Sequence, residues 1–374
     1  PYSAWLAGGI RAAETLSLVE TFLREGNVMP MEFTESLAVF LPKGDAEGDE
    51  VEVVRDANDV RPLGLKNTDN KAICAVWNRR LRPAIARQAN FAQRGFVAGR
   101  QLLQNVVDLD ASARIYGLPP EGAGGSAPGA VAAARDSKLA VLAFWDFAAA
   151  FPSVAHAWVW TILEASALPR GLINVIKAIY HMNASFHCFG NGAQDFFCWV
   201  RSGVLQGCPL SGLVFVLVMD PLLNGLTATV DAGGRGTTRA CADDVGAALA
   251  HIELLKPFAA FFAAFELVSN LRLKPKKCVL VPIGRRFSIA QVAVIRDWLS
   301  AHISSWRAFN IKPAGRYLGF ELGPGAAASS WDAPVRKWAS RALRLGSAQL
   351  PASVGTSLYN VQAVSVLGYV GQVL

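Results

Sequence analysis

Charge is scarce in this chain. Acidic and basic side chains make up 17% of its 374 residues, against 52% hydrophobic ones, and there are only five histidines. So small a charged share excludes an intrinsically disordered chain and points to core-rich subdomains, two or three at this length. Cysteine pairs at metal spacing are missing as well: Cys74, Cys188, Cys198, Cys208, Cys241 and Cys278 form no CxxC motif. That argues against a zinc site or a disulfide framework and suits reduced thiols inside a cell. Uninterrupted apolar runs are also lacking. Leu213 to Leu226 holds Asp220 and Pro221, and Val245 to Leu267 holds His251, Glu253, Lys256 and Pro257. Neither supplies the roughly 20 consecutive apolar residues of a membrane span, so both predict buried helices and no membrane partner. The opening PYSAWLAGGIRAAE carries no basic region followed by an apolar run and a cleavage site. The expected location is therefore the nucleus or cytoplasm, not the secretory route.

What is present leans basic, with 36 Lys and Arg against 29 Asp and Glu, a net of +7. That balance suits a polyanionic partner. Residues 1–30 read as a helical lead-in, and Leu37 to Leu41 as a short strand before an acidic loop reaching about residue 58. From Asp69, Ile73, Val76, Trp77, Leu81 and Ile85 recur at helical steps, and a second helix is expected over Gln101 to Arg114. The Gly/Ala/Pro-rich stretch ending at Asp136 predicts a flexible insertion over 117–138. An apolar strand, Leu139 to Trp145, follows, then helices to about residue 182 and a hairpin-like pair, Ser185 to Phe189 and Phe196 to Val200. A long helix is expected over Leu210 to Leu226. TTRACADDVGAAL predicts two short β runs, Ile252 to Ser269 a further helix, and Arg316 to Leu322 a short strand. The class is α+β.

Two places carry unusual acids. Leu139 to Trp145 ends in Asp146, and a carboxylate closing so apolar a run is costly unless it is open to solvent or bound to a cation. Asp243 and Asp244 are adjacent and flanked by small and apolar residues. Neighbouring side chains of a strand point to opposite faces, which favours Asp243 as the ligand with Asp244 nearby. Taken singly, the first is an ordinary turn residue and the second an ordinary surface pair. Their surroundings change that.

Asp146-Phe-Ala-Ala-Ala-Phe-Pro-Ser153, with an aromatic five residues after the Asp, resembles the first palm motif of reverse transcriptases of non-LTR (LINE-like) retrotransposons. Ser202-Gly-Val-Leu-Gln-Gly-Cys-Pro-Leu-Ser211 resembles the second and Cys241-Ala-Asp-Asp244 the third. Leu273-Lys-Pro-Lys-Lys-Cys278 is similar to the fourth, and Arg316-Tyr-Leu-Gly319 to the primer-grip hairpin. Upstream, Leu41-Pro-Lys43, the segment Arg61 to Lys71, and Gln93-Arg-Gly-Phe-Val-Ala-Gly-Arg-Gln101 look like the family's fingers motifs. The likeness runs from about residue 37 to 322, in the family's order.

The resemblance implies a right-hand polymerase: mainly helical fingers at 31–138, a palm at 139–322 whose antiparallel sheet is backed by helices, and a partial helical thumb at 323–374. It implies an RNA-directed DNA polymerase that copies an RNA template from a DNA primer with deoxynucleoside triphosphates. Phosphoryl transfer of this kind rests on positioning and charge neutralisation. Asp146, Asp243 and the Phe147 carbonyl would hold two Mg²⁺ ions, with Mn²⁺ able to substitute, and Asp244 would stand beside them. Phe151 would be the steric gate against a 2′-hydroxyl. Gln206 and Gly207 would contact nucleotide and template, Lys43 and Arg61 the triphosphate, and Lys277 would be the general acid for pyrophosphate, in competition with Lys274 and Lys276. Pro152, where many relatives carry Asp, and Cys241, where Phe or Tyr is common, depart from the pattern. An inactive or repurposed nucleic-acid-binding remnant of the same fold is the main alternative, and the intact Asp146, Gln206-Gly207, Asp243 and Asp244 argue against it. The Arg61 to Asp69 and Gln93 to Phe96 segments sit nearer the LINE pattern than that of group II introns.

Overall fold

The computed structural model describes residues 2–44, 46, 49, 51–118, 139–188, 194–231, 234–284 and 287–373. Most of the expected insertion at 117–138 lies outside these residues, as do parts of the acidic loop and Phe189 of the expected hairpin.

Helices α1 (Tyr2–Ala7) and α2 (Gly9–Arg24) form the lead-in, followed by α3 (Met31–Thr34), β1 (Ser36–Pro42) and β2 (Val60–Lys66). Next come α4 (Thr68–Gln88), α5 (Leu103–Gly117), β3 (Val141–Trp145), α6 (Ala150–Ser153), α7 (His156–Ala165) and α8 (Arg170–Tyr180). The hairpin β4 (Ala184–Cys188) and β5 (Gln194–Trp199) precedes the long α9 (Ser211–Asp231). Then follow β6 (Gly236–Cys241), β7 (Asp244–Leu249), α10 (Leu255–Ser269), β8 (Val279–Pro282), α11 (Ile289–His302) and β9 (Asn310–Ile311). The chain continues through β10 (Gly315–Tyr317), β11 (Phe320–Leu322), α12 (Asp332–Ser347), α13 (Ala352–Leu358) and α14 (Ser365–Val370).

The central sheet has the order β6-β7-β3-β8-β9. It is antiparallel except for its edge pair β8–β9. Strand β3 is apolar throughout because both its faces are covered. Val141, Ala143 and Trp145 enter a core that also holds Phe215 of α9 and Phe258 and Phe262 of α10. Leu142 and Phe144 enter a second core with Leu109 of α5, Tyr317 and Phe320. Period-2 alternation between two apolar layers thus explains a run with no polar residue. The apolar stretch at 213–226 lies within α9, which buries most of its length in the first core, whereas 245–267 is not the single helix expected: it opens as strand β7 and becomes α10 only from Leu255.

A smaller sheet has the order β2-β1-β4-β5. Its strands come from both sides of residue 139, since β1 pairs in parallel with β4 at Ser36↔Ser185 and Leu37↔Phe186. The sequence pattern did not predict β2, because Pro62 and Gly64 interrupt it. The strand survives as an edge strand, where a missing amide is tolerated. Its outer side is used instead: Gly64 N–H donates to the Gln206 carbonyl at 2.8 Å. The expected single strand Arg316 to Leu322 is a hairpin, β10–β11, turned by Leu318 at φ 49 and Gly319 at φ 90. A leucine in the left-handed region leaves no mark in the sequence. Strand β8 and helix α11 were not anticipated either, since no element was expected between Ser269 and Arg316.

Candidate active site

The register of the central sheet brings the distant acids together. Trp145 lies opposite Val245, so Asp146, leaving β3, emerges beside the turn that joins β6 to β7. That turn is Ala242-Asp243, closed by the pair Cys241↔Asp244. Asp146 is held by its backbone, its carbonyl accepting from Lys274 N–H at 2.8 Å. Phe147 bridges Leu273 and packs its ring against Phe262.

Burial raises the Asp243 carboxyl above the usual range, and the charge of Asp146 adds to this, while its own amide and the Arg61 guanidinium oppose it. Asp244 keeps solvent access as a residue. Enough protein surrounds its carboxyl, however, that burial first, then Asp243, then Asp146, push it up to about 6. Two buried acids raised in this way, with the charge of Asp146 acting on both, are short of positive charge. Hard divalent cations are held by such oxygens from one or two carboxylates, with water and substrate phosphates completing the shell. Carboxylate oxygens of this kind suit a divalent cation completed by water and substrate, while among the described residues no group of three or more His, Cys, Asp and Glu that could hold a metal ion is gathered.

Arg61 reaches this site because β1 and β2 pair Leu41 with Arg61, and it is the one of the two expected triphosphate contacts that acts on Asp243. Lys43, exposed just past β1, donates its backbone N–H to Asp59. Phe151 lies on α6, whose preceding Ala149 has φ 49. Its ring stacks on Phe215 at 4.2 Å and meets Phe96 edge-on at 5.9 Å, which fixes its orientation. The Phe151 carbonyl accepts from Val204 N–H at 2.8 Å, tying α6 to the loop that carries Gln206 and Gly207. Gly207 has φ 109, and a Cβ there would lie 2.4 Å from the Gly64 carbonyl, so only glycine fits. Lys277 is exposed, as are Lys274 and Lys276, and its side chain makes no hydrogen bond among the described residues.

Gln93 has no role assignable from sequence alone, and the structure supplies one. The segment 92–95 runs beside β6 as a parallel bridge, Gln93↔Ala240. The Gln93 amide is fully buried and spans the Ala242-Asp243 turn. Its Oε1 accepts from Ala242 N–H at 2.8 Å and from Gly95 N–H at 2.8 Å, and its Nε2 donates to the Ala242 carbonyl at 3.1 Å. Ala242 has φ 57, a conformation that costs a non-glycine residue about 1–2 kcal/mol, and Gln93 satisfies both its polar groups there. Gly95 lies so close that a Cβ would fall 2.3 Å from Ala242 N. Asp108 of α5 completes the support by pairing with Arg94 at 2.9 Å and Arg239 of β6 at 2.6 Å. Arg100 binds the carbonyls of Ala86, Ala89, Asn90 and Gln93, closing the end of α4. The only advance signal was the position of Gln93, Gly95 and Arg100 in one upstream motif.

Residues 41–322 match the family described as "Reverse transcriptase (RNA-dependent DNA polymerase)". The chain is 26% identical over 229 residues to the Retrovirus-related Pol polyprotein from type-2 retrotransposable element R2DM of Drosophila melanogaster, covering 61% of this chain and 19% of that protein. It is 24% identical over 275 residues to the polyprotein from type-1 retrotransposable element R2 of Popillia japonica, covering 72% and 35%. The chain thus spans between a fifth and about a third of the length of these relatives. Among solved structures, apo telomerase from Candida tropicalis truncated from its C-terminal domain superposes with a TM-score of 0.51 at 11% identity, over 83% of this chain and 59% of that one. The likeness establishes the architecture as a right-hand polymerase.

Proposed function

The chain belongs to the reverse transcriptase family, whose members use divalent metal ions, and from that premise we propose that it is an RNA-directed DNA polymerase of a non-LTR retrotransposon. The observation that carries this is the meeting of Asp146 with Asp243 and Asp244 at the end of the central strands, with Arg61 facing them. Fingers at 31–138, palm at 139–322 and a partial thumb at 323–374 are the division we assign, with an RNA template, a DNA primer and deoxynucleoside triphosphates as ligands.

In this reading Asp146, Asp243 and the Phe147 carbonyl would hold two Mg²⁺ ions. When bound, such ions neutralise charge on the attacking and leaving oxygens. Arg61 engages the triphosphate through its planar fork and Lys43 as a point charge. Gln206 and Gly207 present backbone to the incoming nucleotide. Lys277 donates a proton to the departing pyrophosphate. The Phe151 ring, held between Phe96 and Phe215, would act as the steric gate against a 2′-hydroxyl. RNA-templated primer extension with deoxynucleotides tests the function: templated addition supports it, and binding without addition sinks it.

Two narrower results are expected. Phe151→Val opens space under the sugar, so the preference for deoxy- over ribonucleotides should fall roughly 10–100-fold in single-nucleotide incorporation assays. Unchanged selectivity would remove Phe151 from the gate. The second concerns the raised carboxyls. A carboxyl whose folded pKa exceeds its unfolded value stabilises the fold below the unfolded pKa, and that stability is lost as pH rises through the folded value. For Asp244 the loss falls between about 4 and about 6. The metal-free protein should therefore be more stable at pH 5 than at pH 7.5 through this group. Mg²⁺ at a hundredfold its Kd should restore about 2.7 kcal/mol at the higher pH. Thermal denaturation with and without Mg²⁺, beside Asp243→Asn, reads both effects, and a Mg²⁺ response unchanged in the variant would contradict the site.

A further inference from the structure

Helix α4 carries Lys71, Arg79, Arg80, Arg82 and Arg87 against the single acid Asp69, so this one helix holds +4 of the chain's net +7. Its inner face is committed to packing: Asn70, Ile73, Cys74 and Ile85 are buried, and Trp77 and Leu81 pack on the core. Its C-terminal end is anchored by Asn90, which bonds Asp220, Asn224 and Thr227 on α9. The arginines lie away from that face. Arg79, Arg80, Arg82 and Arg87 are all exposed. Among the described residues no carboxylate pairs with Arg79, Arg82 or Arg87, and Arg80 rests over the Trp77 ring. None of the residues assigned to nucleotide or metal lies on this helix.

Arg79, Arg82 and Arg87 span eight residue steps, about 12 Å at 1.5 Å per residue, on the exposed side of the helix, a concentration of positive charge that complements a polyanion. We infer that the outer face of α4 is a second nucleic-acid docking surface, outside the polymerase site, that binds backbone phosphates of a structured strand through Arg79, Arg82 and Arg87. The predominance of arginine fits bidentate contact with phosphate. A membrane surface fits less well, because the helix exposes only one large apolar side chain, Val76, and so offers no face to insert. The inference goes beyond the proposed polymerase activity and does not depend on it.

The test compares the full chain with a triple variant, Arg79→Gln, Arg82→Gln and Arg87→Gln, and with its charge-retaining counterpart, all three to Lys. The probes are an RNA hairpin with a blocked 3′ end, a DNA hairpin of the same sequence, and vesicles of phosphatidylserine and phosphatidylcholine. Neutralisation is expected to weaken hairpin binding roughly 10–100-fold near 0.15 M salt and to lower the log–log salt slope by about 2–3, as the loss of three phosphate contacts requires. The Lys variant should keep the parental slope. A loss confined to RNA, confined to DNA, or shared identifies which strand docks, and each supports the surface. Unchanged affinity and slope for both hairpins would overturn it, as would loss of vesicle binding alone, or a Lys variant as defective as the Gln variant. Extension of a short annealed primer–template at saturating concentration should be equal in all three proteins. Absence of extension even in the parent would count against the polymerase and leave the docking comparison intact.

Discussion

Replacing Asp243 by asparagine is expected to slow RNA-templated primer extension about a thousandfold or more, while binding of primer–template changes little. The side chains keep the same shape, so the turn survives, and what is lost is one of the negative charges that meet at the strand ends. Asp243 is the acid on which both Asp146 and Arg61 act, which places it between the proposed metal and triphosphate positions. Asp244 opens β7 rather than standing in the turn, and it retains solvent access. Asp244→Asn should therefore cost about tenfold, and it removes a carboxyl that burial first, then Asp243 and Asp146, now push up to about 6. Equal losses from the two substitutions, measured as kcat under saturating nucleotide, would mean that the turn does not distinguish them as described.

The second large effect is expected at residues that support the Ala242-Asp243 turn from behind. In Gln93→Ala the Ala242 N–H and C=O and the Gly95 N–H lose their shared partner inside a site with no room for exchange with bulk water. Each unsatisfied buried backbone group costs about 1–3 kcal/mol, so destabilisation of at least about 2 kcal/mol is expected in urea unfolding. Gly95→Ala acts more directly on geometry. The new methyl meets backbone, not a side chain that could swing away, and so must push the Ala242-Asp243 turn. A displacement near 1 Å at a reacting centre costs on the order of a hundredfold in rate. The expected pattern for Gly95→Ala is a fall in kcat with KM for primer–template nearly unchanged, in protein that remains folded by circular dichroism. A normal kcat would show that the turn is not positioned from residues 93–95.

The catalytic strands were legible because their surroundings are extreme. A run as apolar as 139–145 ending in Asp146, and two short β runs bracketing paired acids, admit few structures, and the sheet register joins them at Trp145↔Val245. The order of the motifs then identified the polymerase fold. Less was legible where contacts cross the chain. Arg61 comes to Asp243 through its pairing with Leu41 on an edge strand hidden by Pro62 and Gly64. Gln93 looked like one polar residue in an upstream motif, because its hydrogen bonds run to a backbone turn almost 150 positions later. The β10–β11 turn depends on a left-handed Leu318 that residue propensities disfavour. Local patterns report periodicity and composition, whereas these three features exist only once distant segments have met.

The most direct measurement is single-turnover extension of a DNA primer on an RNA template of defined sequence, with Mg²⁺ and all four deoxynucleotides, by the unaltered chain beside Asp243→Asn. The account predicts a product whose added sequence is complementary to the RNA, formed by the unaltered chain and absent with the variant. Primer–template bound tightly by both proteins, with no nucleotide added by either, would contradict it.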